Sequence, residues 1–454
     1  MELLNKVSRR VLPALIVLLG LGLGVSDGGW VRQVKRIGLA ARRPARTLRV
    51  ERPAQRRRIA RAADRILLRF RADVPEVYAE AVLRSYGFSA IRRIPHIGVY
   101  SVRTSPGVSV PETLTVLRRN GDIEQARPDY RTRLAETPND AYFLGYQYNL
   151  SNRGGILEIS GDIRPQTTAG ADIKAGPAWD VTQGDPEVVI AVIDSGVDMT
   201  HPELIGKVVS TGRDFANADD DASDDHWHGT HTAGVAAADT DNGEGIAGVA
   251  WNCGILPVKV TGADGSGYYS WLIDGIIWAT DQGADVINLS LGGDVDDPFL
   301  EDACKYAYDH GVVITAAAGN DAGPVVYPAA YDAYVLAVAA TDYNDAVADF
   351  SNFGPEVDVA APGVYILGPA PQAYVGTGYL PYLFASGTSE AAPHVAGLAA
   401  LIKSLKPDLP PADIMNVIRY TADDVNRSTL SGRDDHIGYG RINMERALAP
   451  YVLK

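Results

Sequence analysis

Three residues far apart in the chain have the types needed for one piece of chemistry. Asp194 lies in VVIAVIDSGVD, His228 opens HGTHTAG, and Ser389 sits in SGTSEAAPHVAG. A serine hydroxyl is nearly inert until a base takes its proton, and an imidazole base needs a carboxylate to fix its tautomer and stabilise its charged form. In the order Asp, His, Ser the three supply an orienting acid, a general base and a nucleophile. A fourth segment, AAAGN, ends at Asn320. A carboxamide is one of the group types that can donate to an oxyanion formed when a hydroxyl attacks a carbonyl. Singly, each residue has an ordinary reading: an Asp after a strand or a Ser before a helix is a cap, and Asn320 closes a turn after Gly319.

The elements that must hold them are readable from hydrophobic patterning. The segments 188–193, 286–289 and 312–316 are apolar without alternation, bounded by Gly, Asp or Asn, and separated by helical stretches such as 270–282. Such runs predict an α/β fold with a parallel sheet flanked by helices, whose chemistry gathers at the carboxyl ends of the strands. Asp194, Ser290 and Asn320 stand at those ends. Ahead of this domain, 66–136 predicts a small α+β, ferredoxin-like unit. It has a strand at 66–70, a helix at 75–86 stopped by Gly87, strands at 89–94 and 99–102, a helix at 111–119 and a strand at 123–127. This unit has no cluster of His, Cys or carboxylates, which points to a structural role.

Composition sets the class. Of 454 residues, 46% are hydrophobic and 22% charged, as in an ordinary globular protein. Cys253 and Cys304 are too few for a disulfide scaffold or a four-cysteine zinc site, and are either free and buried or bridged. Residues 1–136 carry 27 Lys and Arg against 12 Asp and Glu, a net +15, while the remainder carries 15 against 44, a net −29. The two pieces attract each other, and the acidic body argues against nucleic acid as its partner. Residues 1–26 read as a signal peptide, with Lys6, Arg9 and Arg10 before an uncharged stretch at 11–25. That stretch is short for a bilayer span, which needs about 20 residues, so membrane contact is transient and the product is extracellular. An uncleaved anchor on the outer face is the alternative, and Ser8-Arg9-Arg10 leaves a twin-arginine signal open. Residues 27–65, including Arg56-Arg57-Arg58, form a basic linker.

With these segments in this order, the domain at 137–454 resembles, over about residues 137–450, the subtilases, the subtilisin-like serine proteases, and within them the thermitase-like branch. The resemblance implies that Asp194 is the orienting acid, His228 the base, Ser389 the nucleophile and Asn320 an oxyanion donor. It also implies that Gly265, Ser266 and Gly267 pair with one edge of an extended peptide, and Ser290, Leu291 and Gly292 with the other. Pairing of this main-chain kind binds polypeptides without demanding a sequence. The side chain before the cleaved bond would lie between that second segment and Ala317 and Gly319. Val326 would partly fill this pocket and favour small or medium side chains. Tyr269, Leu272 and Leu291 would take an apolar side chain further upstream. The implied product is a broad, secreted endopeptidase made as a self-processing zymogen. Its partners are polypeptide substrates and its own inhibitory propeptide at 66–136, cut between Arg133 and Asn139.

Calcium is the implied cofactor. Asp214, Asn217, Asp219 and Asp221 crowd one loop, and hard cations take six to eight oxygens from such loops; a solvated acidic loop is the alternative. A tighter site is implied by the resemblance, with the side chains of Asp140, Glu203 and Asn242 and the carbonyls of Asp239, Glu244 and Ile246. One residue departs from the family: Glu390 follows the nucleophile where many subtilases carry an oxidisable methionine. The departure implies tolerance of peroxide and a raised pKa at His228, since a nearby negative charge favours the imidazolium. Two other readings compete. A metal-dependent hydrolase would use His226, His228 and His231, but H-x-H-x-x-H lacks the H-E-x-x-H pattern. A non-catalytic scaffold of the same fold would be expected to lack a triad member. His226, His231 and His394 otherwise read as structural polar residues.

Overall fold

In the computed structural model, residues 61–104, 107–130, 137–160, 163–376 and 380–452 are described. The expected signal segment, residues 27–60 of the linker and residues 131–136 of the processing segment lie outside them. No helix among the described residues is long and apolar enough to cross a membrane. The chain divides into two units, one within 43–134 and the other within 135–454.

In the first unit, alternation along β1 (Arg61–Phe70) buries Ile66, Leu68 and Phe70 while Leu67 and Arg69 are half-buried, as a sheet covered on one face requires. The order continues α1 (Glu76–Ser85), β2 (Ser89–Ile94), β3 (Val99–Arg103), α2 (Val110–Leu117) and β4 (Ile123–Tyr130). The strands form an antiparallel sheet in the order β2-β3-β1-β4. Both helices supply one apolar core, with Ala79, Leu83, Leu114 and Leu117 against the β1 residues. Strands β1, β3 and β4 are longer than expected. β1 begins at Arg61 because its polar start still pairs with Tyr130, across a register shift that apolar patterning does not reveal.

The second unit is built on seven parallel strands: β5 (Val189–Asp194), β6 (Arg213–Asp214), β7 (Gly254–Lys259), β8 (Val286–Leu289), β9 (Val313–Ala317), β10 (Val335–Thr341) and β11 (Val357–Pro362). Their order across the sheet is β11-β10-β9-β8-β5-β7-β6. Between them run α3 (His228–Ala237), α4 (Tyr269–Asp281) and α5 (Pro298–Asp309); a hairpin of β12 (Ile366–Pro369) and β13 (Tyr382–Ala385) leads into α6 (Thr388–Leu405). One face of the sheet packs Ile190, Val192 and Val286 against Ala233 of α3 and Val395 and Leu398 of α6. The other packs Ile193, Ile287 and Ile314 against Leu272 and Ile276 of α4 and Leu300 of α5. Coverage on both faces explains the unbroken apolar runs. β5 lies between β8 and β7, where the winding reverses, and a crevice opens at the carboxyl end of such a strand. Asp194 is the last residue of β5.

α6 is buried around its circumference, as its run of Ala, Gly and Leu dictates. Pro393 lies inside it and brings no N–H to the helix, so the Ser389 carbonyl lacks its usual partner four residues on. The Ser290 hydroxyl donates to that carbonyl instead, at 2.7 Å. Ser290 lies one residue beyond β8, so this bond ties a strand end to the start of the helix bearing Ser389.

Candidate active site

Glycine brings the imidazole to the carboxylate. A Cβ on Gly229 would lie 2.1 Å from the Gly196 carbonyl and 3.1 Å from Asp194 Cβ, so only glycine lets α3 begin this close to the end of β5. His228 Nδ1–H then donates to both Asp194 oxygens, at 2.8 and 2.9 Å. This fixes the tautomer and leaves Nε2 as the bare acceptor. Burial pushes the His228 imidazole down; the charge and hydrogen bond of Asp194, with Glu390 and Asp224 adding to them, outweigh burial and raise it to about 9.

Asp224 and Ser195 escaped the sequence reading, yet they hold the start of α3. The Asp224 carboxylate accepts from the N–H of His226 at 3.0 Å and of Thr230 at 3.0 Å, and from the hydroxyls of Thr230 at 2.5 Å and Ser195 at 2.9 Å. The Ser195 hydroxyl in turn accepts from Gly229 N–H at 2.9 Å. Lys259, almost wholly buried, donates to the Ser195 carbonyl at 3.1 Å and pairs with Asp225. The only sequence signal was position: Ser195 follows Asp194, and Asp224 stands one helical turn before His228.

Ser389 is the second residue of α6, and α6 packs against α3. Its hydroxyl donates to the Ser290 carbonyl at 2.9 Å. A hydroxyl has one proton, so in this rotamer it does not donate to His228. Asn320 is oriented without ambiguity. Its Oδ1 accepts from Thr388 N–H at 2.8 Å and from the Thr388 hydroxyl at 3.0 Å, while that hydroxyl accepts from Gly319 N–H at 3.1 Å. Two donors on Oδ1 leave Nδ2 as the end free to donate. Asn352 fixes the loop beyond by accepting from Asp321 N–H at 2.8 Å and Gly323 N–H at 3.0 Å.

The expected substrate edges form two neighbouring segments. Gly267 bridges Thr261, and a Cβ there would lie 2.4 Å from the Val260 carbonyl. Gly265 closes the preceding turn with φ +78°, beside Ser266. Tyr269 opens α4 and donates its hydroxyl to the Val295 carbonyl at 2.9 Å, joining this segment to the one that contains Leu291 and Gly292. Cβ atoms on Gly292 and Gly319 would lie 2.8 and 3.1 Å from the two methyls of Val326, so Val326 stands between those segments, near Ala317 at the end of β9. Leu272 lies in the core, backing this surface with little of its own exposed, while Leu291 is half-buried.

The two candidate calcium loops differ. In the first, Asp214 accepts from the backbone and side chain of Asn217, each at 2.8 Å, Asp219 accepts from Asp221 N–H at 3.0 Å, and Asp221 accepts from Ser223. These carboxylates close local turns, and they do not converge as a ligand set. In the second, Asp140 accepts from Asp241 N–H at 2.9 Å, Glu203 accepts from Ile246 N–H at 3.0 Å and the Tyr382 hydroxyl at 2.7 Å, and Asn242 Oδ1 accepts from Glu244 N–H at 2.7 Å. Asp239 joins through its N–H to the Glu203 carbonyl at 2.8 Å. Glu203 Oε2 is buried with no hydrogen-bond partner. Burial raises Glu203 to about 8 and Asp140 to about 6, each opposed by its hydrogen bonds. A buried Glu203 carboxyl with one unpartnered oxygen, near a second buried carboxyl at Asp140, fits a hard cation.

Glu390 is fully enclosed, with Oε1 3.9 Å from His231 Nδ1, a buried atom without a hydrogen-bond partner. Burial raises Glu390 to about 7 against the pull of the His228 charge. His231 Nε2 faces the Ile366 carbonyl at 3.2 Å, and His394 lies between Asn149 and the Glu390 carbonyl. Among the described residues no group of three or more His, Cys, Asp or Glu converges as a metal site, and His228 and His231 have separate partners, Asp194 and the Ile366 carbonyl. Cys253 and Cys304 are both free and buried.

The chain matches known proteins over both of its units. The Subtilase family profile, Peptidase S8, matches residues 185–440, and the Fervidolysin N-terminal prodomain profile matches residues 60–129. The chain is 44% identical over 341 residues to a thermophilic serine proteinase of Bacillus sp. (strain AK1), covering 75% of this chain and 76% of that protein. It is 41% identical over 312 residues to thermitase of Thermoactinomyces vulgaris, covering 69% of this chain and 99% of that one. The crystal structure of fervidolysin from Fervidobacterium pennivorans, a keratinolytic enzyme related to subtilisin, superposes with a TM-score of 0.56 at 29% identity, covering 85% of this chain and 61% of that one. The protein therefore belongs to the subtilase family and is a subtilisin-like serine protease with an N-terminal prodomain.

Proposed function

We propose that the protein is a secreted, calcium-stabilised endopeptidase made as a self-processing zymogen, and that it cleaves peptide bonds through an acyl-enzyme on Ser389. The observation that carries this reading is the His228 Nδ1–Asp194 contact at 2.8 and 2.9 Å, on a helix packed against the one that presents Ser389.

The steps follow from the groups in place. Ser389 Oγ turns from the Ser290 carbonyl to His228 Nε2, loses its proton there and attacks the substrate carbonyl. Asp194 holds the imidazolium that forms. The oxyanion is met by Asn320 Nδ2 and the Ser389 N–H, and losing such a side-chain donor lowers turnover by about 10²–10³. His228 then delivers its proton to the leaving amine, and water repeats the sequence to release the acyl group. The edges at Gly265–Gly267 and Ser290–Gly292 bind backbone, which favours extended polypeptides over any one sequence. Val326 narrows the first pocket toward small and medium side chains. Calcium would be held by Asp140, Glu203 and Asn242 with the carbonyls of Asp239, Glu244 and Ile246, where it supplies charge compensation that ties the segment at residues 139–142 to the loop at 239–246. The prodomain at 66–136 is the intramolecular inhibitor and folding aid.

Expression of the full chain beside Ser389→Ala, followed by intact mass, tests the reading. Trimming between Arg133 and Asn139 in the wild type alone supports it; equal trimming of both proteins, purified free of other proteases, refutes it.

A further inference from the structure

Beside the general base the chain builds a second surface of rings. Trp227, the residue before His228, is buried among Ala370, Val375, Leu383 and Ala385, which come from β13 and the connection before it. Its ring lies edge-on to His228, 5.3 Å away at 77°, and stacks on His226, 5.4 Å away at 28°. Tyr374 faces both, 5.9 Å from Trp227 and 6.3 Å from His226. Tyr374 is 38% exposed and His226 is half-buried, so the ledge opens to solvent. Burial, and then the charge of the neighbouring His228, lower the His226 imidazole from its ordinary value.

Resting on the serine-peptidase reading, the chemistry says what would meet this ledge. The upstream half of a substrate is served by the glycine edges joined through Tyr269 and Val295, and these reach Ser389 through Ser290. The amine that departs takes its proton from His228 Nε2, so the residue carrying that amine must pass His228. We propose that Tyr374, His226 and Trp227 form a subsite for an aromatic side chain of the substrate on the leaving side of the cleaved bond. Ring faces and edges of this kind select aromatic partners over small ones by about three- to tenfold.

The test uses internally quenched peptides that share one cleavable bond and differ only in the two residues after it, Phe or Gly. The wild type prefers Phe by about three- to tenfold in kcat/KM, Tyr374→Phe keeps that ratio, and Tyr374→Ala brings it close to one. A ratio that is the same in wild type and Tyr374→Ala, or a change confined to residues before the bond, overturns the proposal. A measurement on the unaltered protein guards against a folding artefact: the acyl-enzyme partitions to phenylalanine amide over glycine amide as added acceptors, and equal partitioning also overturns it. A peptide anilide, with no residue after the bond, separates the two failures. If the wild type does not cleave it, the peptidase reading has failed; if it does, only the ledge is at stake.

Discussion

The two units of the chain differ in how deeply they bury their charge. In the prodomain unit the ion pairs stand in water: Arg69–Glu124, Arg84–Glu80 and Arg93–Glu76 have side chains between 39% and 70% exposed. The peptidase unit has exposed pairs as well, such as Lys305–Asp309, but it adds pairs with at least one partner almost fully enclosed: Asp194–His228, Lys259–Asp225, Arg419–Asp358 and Arg441–Asp423. An exposed pair contributes about 0–1 kcal/mol, whereas removing one partner of a buried pair costs about 3–5 kcal/mol. The first unit rests mainly on its apolar core and its sheet, with its ion pairs contributing little. The second spends burial to fix where particular atoms stand, and its chemistry depends on that.

The sharpest way to break this contrast is at its centre. Asp194→Asn leaves the shape of the site but removes the charge and tautomer control of His228, and kcat on a peptide anilide falls about 10⁴-fold. A smaller effect separates the two acidic loops. A cation bound only to the folded form adds about 4 kcal/mol at a thousandfold excess over its Kd, so chelation lowers Tm in calorimetry. Glu203→Gln removes most of that calcium response, and Asp219→Asn keeps it. Smaller again is the effect of Glu390→Gln. An ionised Glu390 favours the imidazolium, which holds His228 protonated to higher pH; its loss lets His228 become neutral at lower pH, so the acid limb of kcat/KM moves down the pH scale. At the far end, Arg84→Ala in the prodomain changes stability by under about 0.5 kcal/mol in denaturant unfolding, because its Glu80 partner is exposed on the same helix.

Much of this was legible before any coordinates. The runs at 188–193, 286–289 and 312–316 became β5, β8 and β9 because strands covered on both faces must be apolar throughout, and the stretch at 270–282 became α4 within a residue at either end. The motif residues landed at strand ends and helix starts for the same reason. What stayed hidden was the sorting of like residues by burial. Asp219, Asp220, Asp221, Asp224 and Asp225 look alike in one acidic stretch, yet Asp220 pairs with Arg213 at the surface while Asp224 caps α3 from beneath. Glu203 had no local sign of its role, since its partners come from residues 239–246 and from Tyr382. The short β12–β13 hairpin, with Tyr374 in its connection, carries too few residues for a period to show. The hydroxyl of Ser389, finally, donates to the Ser290 carbonyl, while the Ser290 hydroxyl donates back to the Ser389 carbonyl that Pro393 leaves without its helix partner, a reciprocal pair with no signal in either segment alone.

The central claim is that one hydroxyl in this chain is activated by the pair at His228 and Asp194. Treatment with a sulfonyl fluoride, followed by peptide mass mapping, tests it most directly. A single adduct on Ser389, lost in His228→Ala, is the result this account requires. An adduct confined to other residues, or one on Ser389 that forms as fast without the imidazole, would contradict it.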